Sequence, residues 1–377
     1  MGADETRMDL SQVRSELDRI DAEILKLAAQ RLQLAQRVGR LKISEGLKLF
    51  DRSREKEIMT RAKAQARTLK MDVRSAKRLM SCLIEASHEV QEESDTLERE
   101  QEFQHFLILG GRGKMGARFA GAFEALGHRL SIFDKNDVLQ PCLIESADII
   151  LLCVPMDQCE AVALEVAPHV RKDALLCDIN SLKAGVCEVY REKCRGEALG
   201  THPMFGPSVR TFRRQKVVLC PVKPGPRAEW FTRLLGRMGC ELIETDPQTH
   251  DRMMAIIQVL THLGTMVMGE AFRRSAVPVE QTLSFTSPIY RLELSMVGRI
   301  FAQDPNLYAE IALCNPQSAE MRKHLRDATE LLTGIMDRSD RDAFRNTFLS
   351  IREHFKDFSD EAMELSDLLI ETITGEP

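Results

Sequence analysis

A stripe of apolar residues, uninterrupted by proline, runs through residues 10–41 and constrains the fold of the first part of the chain. Its members recur every three or four residues: Leu10, Val13, Leu17, Ile20, Ile24, Leu27, Leu34, Val38 and Leu41. This spacing predicts one amphipathic helix of about 35 residues, roughly 50 Å long. Because so long a helix is not stable alone, we expect it to pack against a partner.

One charged residue interrupts this stripe. Arg31 occupies the position between Leu27 and Leu34, on the face that the helix should bury. A charged group on a buried face has to be paired or has to meet an anion. The stripe alone does not distinguish a structural ion pair from a binding site.

Two further helices are predicted before the pattern changes. The helical pattern breaks at Gly46, resumes at about 51–68 and again at about 72–98, and ends in the charged segment EESDTLEREQE. Such a segment is typical of a solvated linker. We therefore predict an all-α domain over residues 1–98.

The next part of the chain alternates short apolar strands with helical segments. Strands are predicted at 106–109, 130–133, 148–154, 174–177, 216–220 and 241–243. This alternation is typical of a parallel sheet and predicts a Rossmann-like α/β domain over 99–246. Residues 247–377 are predicted to form an all-α domain, in which the apolar run 253–268 indicates a helix buried at a subunit interface.

A glycine-rich motif lies at the first strand-to-helix junction. Gly111, Gly113 and Gly116 have the GxGxxG spacing, with Lys114 and Met115 inside it. In this context the glycines allow a tight turn and close approach of a pyrophosphate to the backbone. Asp134 ends the next strand and is placed to bind ribose hydroxyls, which favours NAD. The adjacent Lys135 leaves NADP open.

The net charge, the cysteine pattern and the first residues indicate which partners and which cellular location to expect. The net charge of -5 suggests neither nucleic acid nor a membrane surface as a partner. The ten cysteines form no CxxC pair, so we expect reduced thiols and no metal site. The first residues, MGADETRMDL, lack the apolar core of a signal peptide, and we expect a cytoplasmic protein.

Candidate catalytic residues follow the predicted strands. His202 lies between Gly200 and Pro203 in what reads as a loop, and its neutral imidazole could accept a proton, with Ser181 orienting it. Arg291 and Arg299 lie in an apolar helix, where each could bind a carboxylate or form a structural ion pair. His262 alone reads as a core histidine.

Two long motifs resemble a known family. THPMFGP at 201–207 and SPIYRLELSMVGR at 287–299, with the glycine motif and the N-terminal helices, resemble the bifunctional chorismate mutase–prephenate dehydrogenases of tyrosine biosynthesis. The resemblance covers nearly the whole chain. It implies oxidative decarboxylation of prephenate with NAD to 4-hydroxyphenylpyruvate, CO2 and NADH.

The resemblance also implies roles for residues of the dehydrogenase. His202 corresponds to the histidine that takes the proton of the ring hydroxyl, and Ser181 to a serine that bridges histidine, substrate and nicotinamide. Arg299 corresponds to the arginine that binds the side-chain carboxylate of prephenate, and His262 to a substrate-pocket histidine. Lys183 lies beside Ser181 and Arg291 lies in the second motif, and both are further candidates for substrate binding.

The first segment resembles an AroQ-type chorismate mutase. The pocket residues implied by the family are Arg14, Arg31, Lys42, Asp51, Arg54, Glu55, Ser87 and Gln91. Chorismate rearranges without acid, base or nucleophile, so the enzyme has to hold a dicarboxylate compactly and stabilise charge on the ether oxygen. Arginines would bind the carboxylates, Lys42 and Gln91 the ether oxygen, and Glu55 with Asp51 the ring hydroxyl.

Helix geometry adds an inference about assembly. Arg31 and Lys42 are three turns apart on one face, whereas Arg14 precedes Arg31 by roughly 25 Å along the axis. One small substrate cannot touch both ends of that span. If Arg14 belongs to the pocket, it comes from a second protomer whose long helix runs antiparallel, which predicts a homodimer with shared mutase pockets.

Three alternatives remain at this point. The helical segment could serve only for dimerisation, the dehydrogenase could prefer arogenate or accept several cyclohexadienyl substrates, or the chain could be a non-enzymatic NAD-sensing protein. Tyrosine is a candidate feedback inhibitor by resemblance to the family, without a site that the sequence locates.

Overall fold

A computed structural model describes residues 9–44, 52–99, 102–209 and 211–374. Its first part consists of helices α1 (Leu10–Ser44), α2 (Arg52–Thr68) and α3 (Val73–Arg99). The unbroken α1 confirms the predicted long helix. Asp51, a predicted mutase residue, lies outside the described residues.

Helix α1 packs along α3 at a glycine. A Cβ atom added at Gly39 would lie 3.0 Å from the backbone of Gln91, so the absence of a side chain lets the two helices approach closely. Much of the apolar stripe of α1 stays open in the single chain: Leu17 is 54 % exposed, Leu34 59 % and Leu41 60 %. Exposed apolar side chains at helical spacing indicate an uncovered packing face.

The central part of the described chain contains one seven-stranded sheet of order β2-β1-β3-β4-β5-β6-β7. Its strands are β1 (His105–Leu109), β2 (Arg129–Phe133), β3 (Ile149–Leu152), β4 (Leu175–Asp178), β5 (Glu197–Pro203), β6 (Lys216–Lys223) and β7 (Glu241–Glu244). All neighbours are parallel except β5 and β6, which pair antiparallel. The predicted parallel sheet is thus confirmed, with one antiparallel pair that the sequence did not indicate.

Helices cover both faces of this sheet. They are α4 (Lys114–Ala125), α5 (Pro141–Ser146), α6 (Met156–Val166), α7 (Ala184–Lys193) and α8 (Pro226–Arg237). Alternate residues of β1 serve two cores: Phe106 and Ile108 pack with α4 and α8 on one face, and Leu107 and Leu109 with α6 and α7 on the other. Because every β1 side chain is buried, the strand reads as a continuous apolar run.

The remaining elements are helical. A continuous helix comprises α9 (Pro247–Met254), a π-helical segment (Ala255–Leu260) and α10 (Thr261–Ser275), followed by α11 (Val279–Leu283), α12 (Pro288–Phe301), α13 (Pro305–Cys314), α14 (Ser318–Asp337) and α15 (Arg341–Thr374). Asp246 caps α9 by accepting a 2.8 Å hydrogen bond from Thr249 N. Glu310 Oε2 accepts from Met156 N at 3.2 Å, which ties α13 to α6.

Helix 247–275 is long and apolar enough to cross a membrane by length and composition, with a mean hydropathy of 1.3 over its most apolar window. One such helix is weak evidence for a membrane span. Its first turns also carry His250 and Asp251, which are buried in the protein. Only 11 % of that window is buried in the single chain, and its predicted burial at a subunit interface stays a prediction.

Candidate active sites

The glycine motif forms a tight turn between β1 and α4. Gly110 has a φ of +80°, and its N–H donates to Phe133 O at 2.7 Å. A Cβ atom at Gly116 would lie 2.4 Å from Gly110 O, so only glycine fits there. Helix α4 begins after Gly113 without a side-chain cap. The turn thus presents backbone N–H groups at a helix N-terminus, an arrangement that fits a pyrophosphate.

Asp134 lies beside this turn at the end of β2. Its carboxylate accepts hydrogen bonds from Arg112 N at 3.3 Å and Lys135 N at 3.0 Å. The Arg112 guanidinium is paired with Asp137 at 2.5 Å, so its charge is already balanced. A carboxylate beside an arginine that is already paired suits ribose hydroxyls better than a 2′-phosphate. The residues therefore fit NAD.

The candidate dehydrogenase site is centred on the side chain of His202. It lies in β5, opposite Val218 of β6, and is 3 % exposed. The interpretation of this segment as a loop was wrong, because Gly200 and Pro203 are accommodated within the strand. Gln258, on the π-helical segment, places Nε2 3.5 Å from His202 Nε2. Such a segment often occurs at functional sites, since it displaces a side chain from regular helical register.

Two further buried residues, His250 and Asp251, orient the His202 ring through its Nδ1 atom. His202 Nδ1 lies 2.9 Å from His250 Nε2, and His250 Nδ1 lies 2.8 Å from Asp251 Oδ1. The Asp251 carboxylate accepts a hydrogen bond from the Nδ1–H of His250, so Nε2 of the neutral His250 ring is an acceptor. His202 then donates from Nδ1 and keeps a lone pair on Nε2. The chain of contacts assigns Nε2 as the basic nitrogen.

Burial determines the charge state of this histidine. Removal from water lowers the pKa of His202 well below its ordinary value, and His250 and Lys183 act in the same direction. The imidazole is therefore neutral at physiological pH and able to accept a proton.

Lys183, a candidate for substrate binding, is already paired within the protein. Its side chain is fully buried and forms an ion pair with Asp178, which also accepts a 3.3 Å hydrogen bond from Tyr190 Oη. Burial alone would lower the pKa of Lys183, but the Asp178 carboxylate raises it. These contacts favour a structural role over substrate binding. Ser181 lies in the bend after β4 and is half-buried.

A second group of predicted residues meets around Tyr308. The rings of His262 and Tyr308 pack edge to face with centroids 4.8 Å apart, and the charge of Arg299 acts on the Tyr308 hydroxyl. His262 Nδ1 is buried without a hydrogen-bond partner among the described residues. An unsatisfied buried nitrogen fits a polar ligand. Arg291 is exposed on α12.

In the helical segment, Arg31 reaches across from α1 to α3. Its guanidinium donates to Leu83 O and Ser87 Oγ, both neutral acceptors. No carboxylate pairs with Arg31 within the described ranges, and burial lowers the pKa of its guanidinium. A half-buried arginine held by neutral groups keeps its charge for an anion.

The other mutase residues converge on the same part of α3. Ser87 and Gln91 are buried, and Glu55 of α2 places Oε1 3.1 Å from His88 Nε2. Lys42 is near enough for its charge to act on His88. The structure thus brings Arg31, Lys42, Glu55, Ser87 and Gln91 to one region.

Two predicted mutase residues are exposed in the single chain. Arg14 is exposed near the start of α1, and Arg54 is exposed on α2, where it pairs with Glu57 at 2.8 Å.

Sequence reasoning missed the polar residues that contact the predicted ones: the buried Asp178, His250, Asp251 and His88, and the half-buried Gln258 and Tyr308. One signal was present in the sequence. His250 and Asp251 are adjacent polar residues in the first turns of a helix whose later part is apolar, four and five residues after the capping residue Asp246.

Three family models match the chain in order. Residues 13–92 match chorismate mutase type II, residues 123–243 match the nucleotide-binding domain of prephenate dehydrogenase, and residues 246–350 match its dimerization domain. The second match begins after the glycine turn, so the assignment of that turn depends on its geometry.

Individual relatives agree with these matches. A T-protein of Haemophilus influenzae is 28 % identical over 90 % of both chains. A probable arogenate/prephenate dehydrogenase of Methanocaldococcus jannaschii is 34 % identical over 71 % of this chain and 65 % of its own length.

Among solved structures, prephenate dehydrogenase from Aquifex aeolicus, in complex with hydroxyphenyl propionate and NAD+, shares the fold. Its TM-score is 0.55 at 18 % identity, and the match covers 71 % of this chain and all of the other. Together, the ordered mutase and dehydrogenase matches and the full-length T-protein relatives show that the chain belongs to the bifunctional chorismate mutase–prephenate dehydrogenases.

Proposed function

We propose specific residues for the two reactions of this enzyme, which rearranges chorismate to prephenate and then oxidises and decarboxylates prephenate with NAD. The observation that carries the proposal for the second reaction is the contact chain Asp251–His250–His202, which leaves His202 Nε2 as a neutral base. The dehydrogenase residues are His202 and Ser181 for catalysis, with Arg299 and His262 for substrate binding.

In the proposed mechanism, NAD supplies the hydride acceptor when it is bound by the glycine turn and Asp134. His202 Nε2 takes the proton of the ring hydroxyl, and His250 with Asp251 stabilises the imidazolium that forms. Arg299 binds the side-chain carboxylate through its two-pronged guanidinium. The burial of His202 excludes water from the proton transfer.

For the mutase, Arg31 binds a carboxylate, Lys42 and Gln91 donate to the ether oxygen, and Glu55 holds the ring hydroxyl. The contact of Arg31 with Ser87 fixes the guanidinium before substrate arrives, which lowers the entropic cost of binding.

We also propose that the mutase pocket is completed by a second copy of the chain. Arg14 lies on the same straight helix as Arg31, about 25 Å away by helical rise. The exposed apolar stripe of α1 is the surface that the partner would cover. An antiparallel pair of α1 helices would then bring Arg14 of one protomer to Arg31 of the other.

Two further expectations belong to this proposal. Tyrosine, the end product of the route, is proposed as a feedback inhibitor. A cytoplasmic location is proposed, and it is supported by ten free cysteines, of which Cys159, Cys177, Cys187, Cys194, Cys220 and Cys240 are buried thiols.

One set of assays on the purified chain tests the function. We expect chorismate consumption without cofactor, and NADH formation from prephenate with NAD. The same assay with arogenate in place of prephenate, with NADP in place of NAD, and with added tyrosine tests substrate preference, cofactor preference and inhibition. Absence of chorismate consumption by the folded chain would leave only the dimerisation role for the helical segment.

A further inference from the structure

A residue of the nucleotide-binding domain reaches the mutase region. Arg213 lies between β5 and β6, and its Nη2 is 3.0 Å from Nδ1 of His88 on α3. The other nitrogen of the same ring, His88 Nε2, is 3.1 Å from Glu55 Oε1. One imidazole therefore connects an arginine of the dehydrogenase with a carboxylate of the mutase.

The donor inventory fixes the direction of both hydrogen bonds. A guanidinium can only donate, so Nδ1 of His88 has to be the acceptor and carries no proton. In the neutral ring the proton is then on Nε2, which donates to the Glu55 carboxylate. Burial lowers the pKa of His88, and the charges of Arg213, Arg214 and Lys42 lower it further, against the opposing effect of Glu55.

The turn that carries Arg213 is anchored firmly. Phe212 is 7 % exposed and packs against Phe119, with ring centroids 5.1 Å apart. Arg214 has a φ of 56° and its N–H donates to Gly239 O at 2.8 Å. A Cβ at Gly239 would lie 3.1 Å from Arg213 Cα. Since the backbone is held on both sides, the Arg213 side chain starts from a defined position.

We propose that Arg213 is a positioning residue for the chorismate mutase pocket, acting through His88 to orient the Glu55 carboxylate. The proposal rests on the assignment of Glu55 to that pocket made above. Glu55 is only partly buried, with 32 % of its side chain exposed, so without the His88 N–H its carboxylate could take several orientations. The mutase pocket thus depends on a residue from the domain that binds the nucleotide.

The test compares Arg213→Ala and Arg213→Lys with Arg233→Ala, which removes an exposed arginine of the same domain. We expect Arg213→Ala to lower the mutase kcat about 10-fold, as for loss of a hydrogen bond to a charged group. Arg213→Lys, which still donates, should recover most of the loss. NADH formation from prephenate should stay within about 2-fold for all three variants, and it reports that the domain carrying Arg213 is folded.

A second comparison separates positioning from general stabilisation. In a Glu55→Gln background, Arg213→Ala should lower the mutase kcat by less than about a further 2-fold, because Arg213 acts through the Glu55 carboxylate. If the fold-losses of the two single variants multiply in the double variant, Arg213 does not act through Glu55 and the positioning role is wrong. It is also wrong if Arg213→Ala has the same mutase kcat as Arg233→Ala. If Glu55→Gln alone leaves the mutase unchanged, the assignment of Glu55 to the pocket fails instead.

Discussion

His202 Nδ1 and His250 Nε2 lie 2.9 Å apart in the interior of the dehydrogenase, and the second histidine is itself bonded to Asp251. The pair orients the base without exposing it to water. Because each contact fixes the tautomer of the next ring, the geometry predicts which substitutions should abolish the reaction.

His202→Asn should remove the base. We expect kcat/KM for prephenate to fall by at least about 100-fold, the usual loss for a general base, while chorismate consumption is unchanged. Steady-state NADH formation and chorismate absorbance measure the two activities on the same preparation. A variant that keeps prephenate oxidation would exclude His202 as the base.

His250→Ala should reduce the same activity by about 10- to 100-fold, because the tautomer of His202 is no longer fixed. His250→Gln, whose amide oxygen can accept from His202 Nδ1, should lose less. The exposed His324→Gln is the matched control. Equal activity of the alanine and glutamine variants would argue that His250 only fills space.

Arg31→Ala should affect the chorismate mutase reaction. We expect mutase activity to fall about 100-fold or more, because a preorganised charge facing the substrate is lost, with NADH formation from prephenate retained. Arg19→Ala, on the same helix but bonded to Glu16 and Glu23 at the surface, is the control. Parallel loss of both activities in a folded protein would contradict two separate sites.

Sharing of the mutase pocket can be tested by mixing inactive variants. If Arg14 and Arg31 act across the dimer, co-expressed Arg14→Ala and Arg31→Ala chains form heterodimers with one intact pocket each. Random pairing then restores about a quarter of the wild-type mutase activity. No recovery in confirmed heterodimers would place both arginines outside a shared pocket.

The lowered pKa of His202 predicts a dependence of stability on pH. Below about pH 6.5 the unfolded chain binds a proton at this position that the native chain does not, so the free energy of unfolding decreases as pH falls. The slope contributed by one such group approaches about 1.4 kcal/mol per pH unit.

Urea unfolding between pH 7 and 5 measures this slope. His202→Asn should make it shallower, whereas the exposed His324→Asn should leave it unchanged. An unchanged slope in His202→Asn would indicate that folding does not lower the pKa of His202.

The helices could be predicted from their hydrophobic period, and most strands from short continuous apolar runs. Strand β5 was missed because Gly200 and Pro203 are typical of turns, yet both fit beside the antiparallel β6. The contact of His202 with His250 spans 48 residues, and no local pattern encodes such a distance. His88 was missed because one histidine on a helix carries no signal until Glu55 and Arg213 are brought to it by the fold.

The connection between β5 and β6 has a consequence for how such a protein can evolve. It starts just after His202 and within a dozen residues presents Arg213 to the helical segment. On our proposal, an insertion or deletion there would change both reactions at once. A gene fission that separated the mutase from the dehydrogenase would have to replace this contact. The fusion is therefore harder to reverse than one in which a linker alone joins two independent domains.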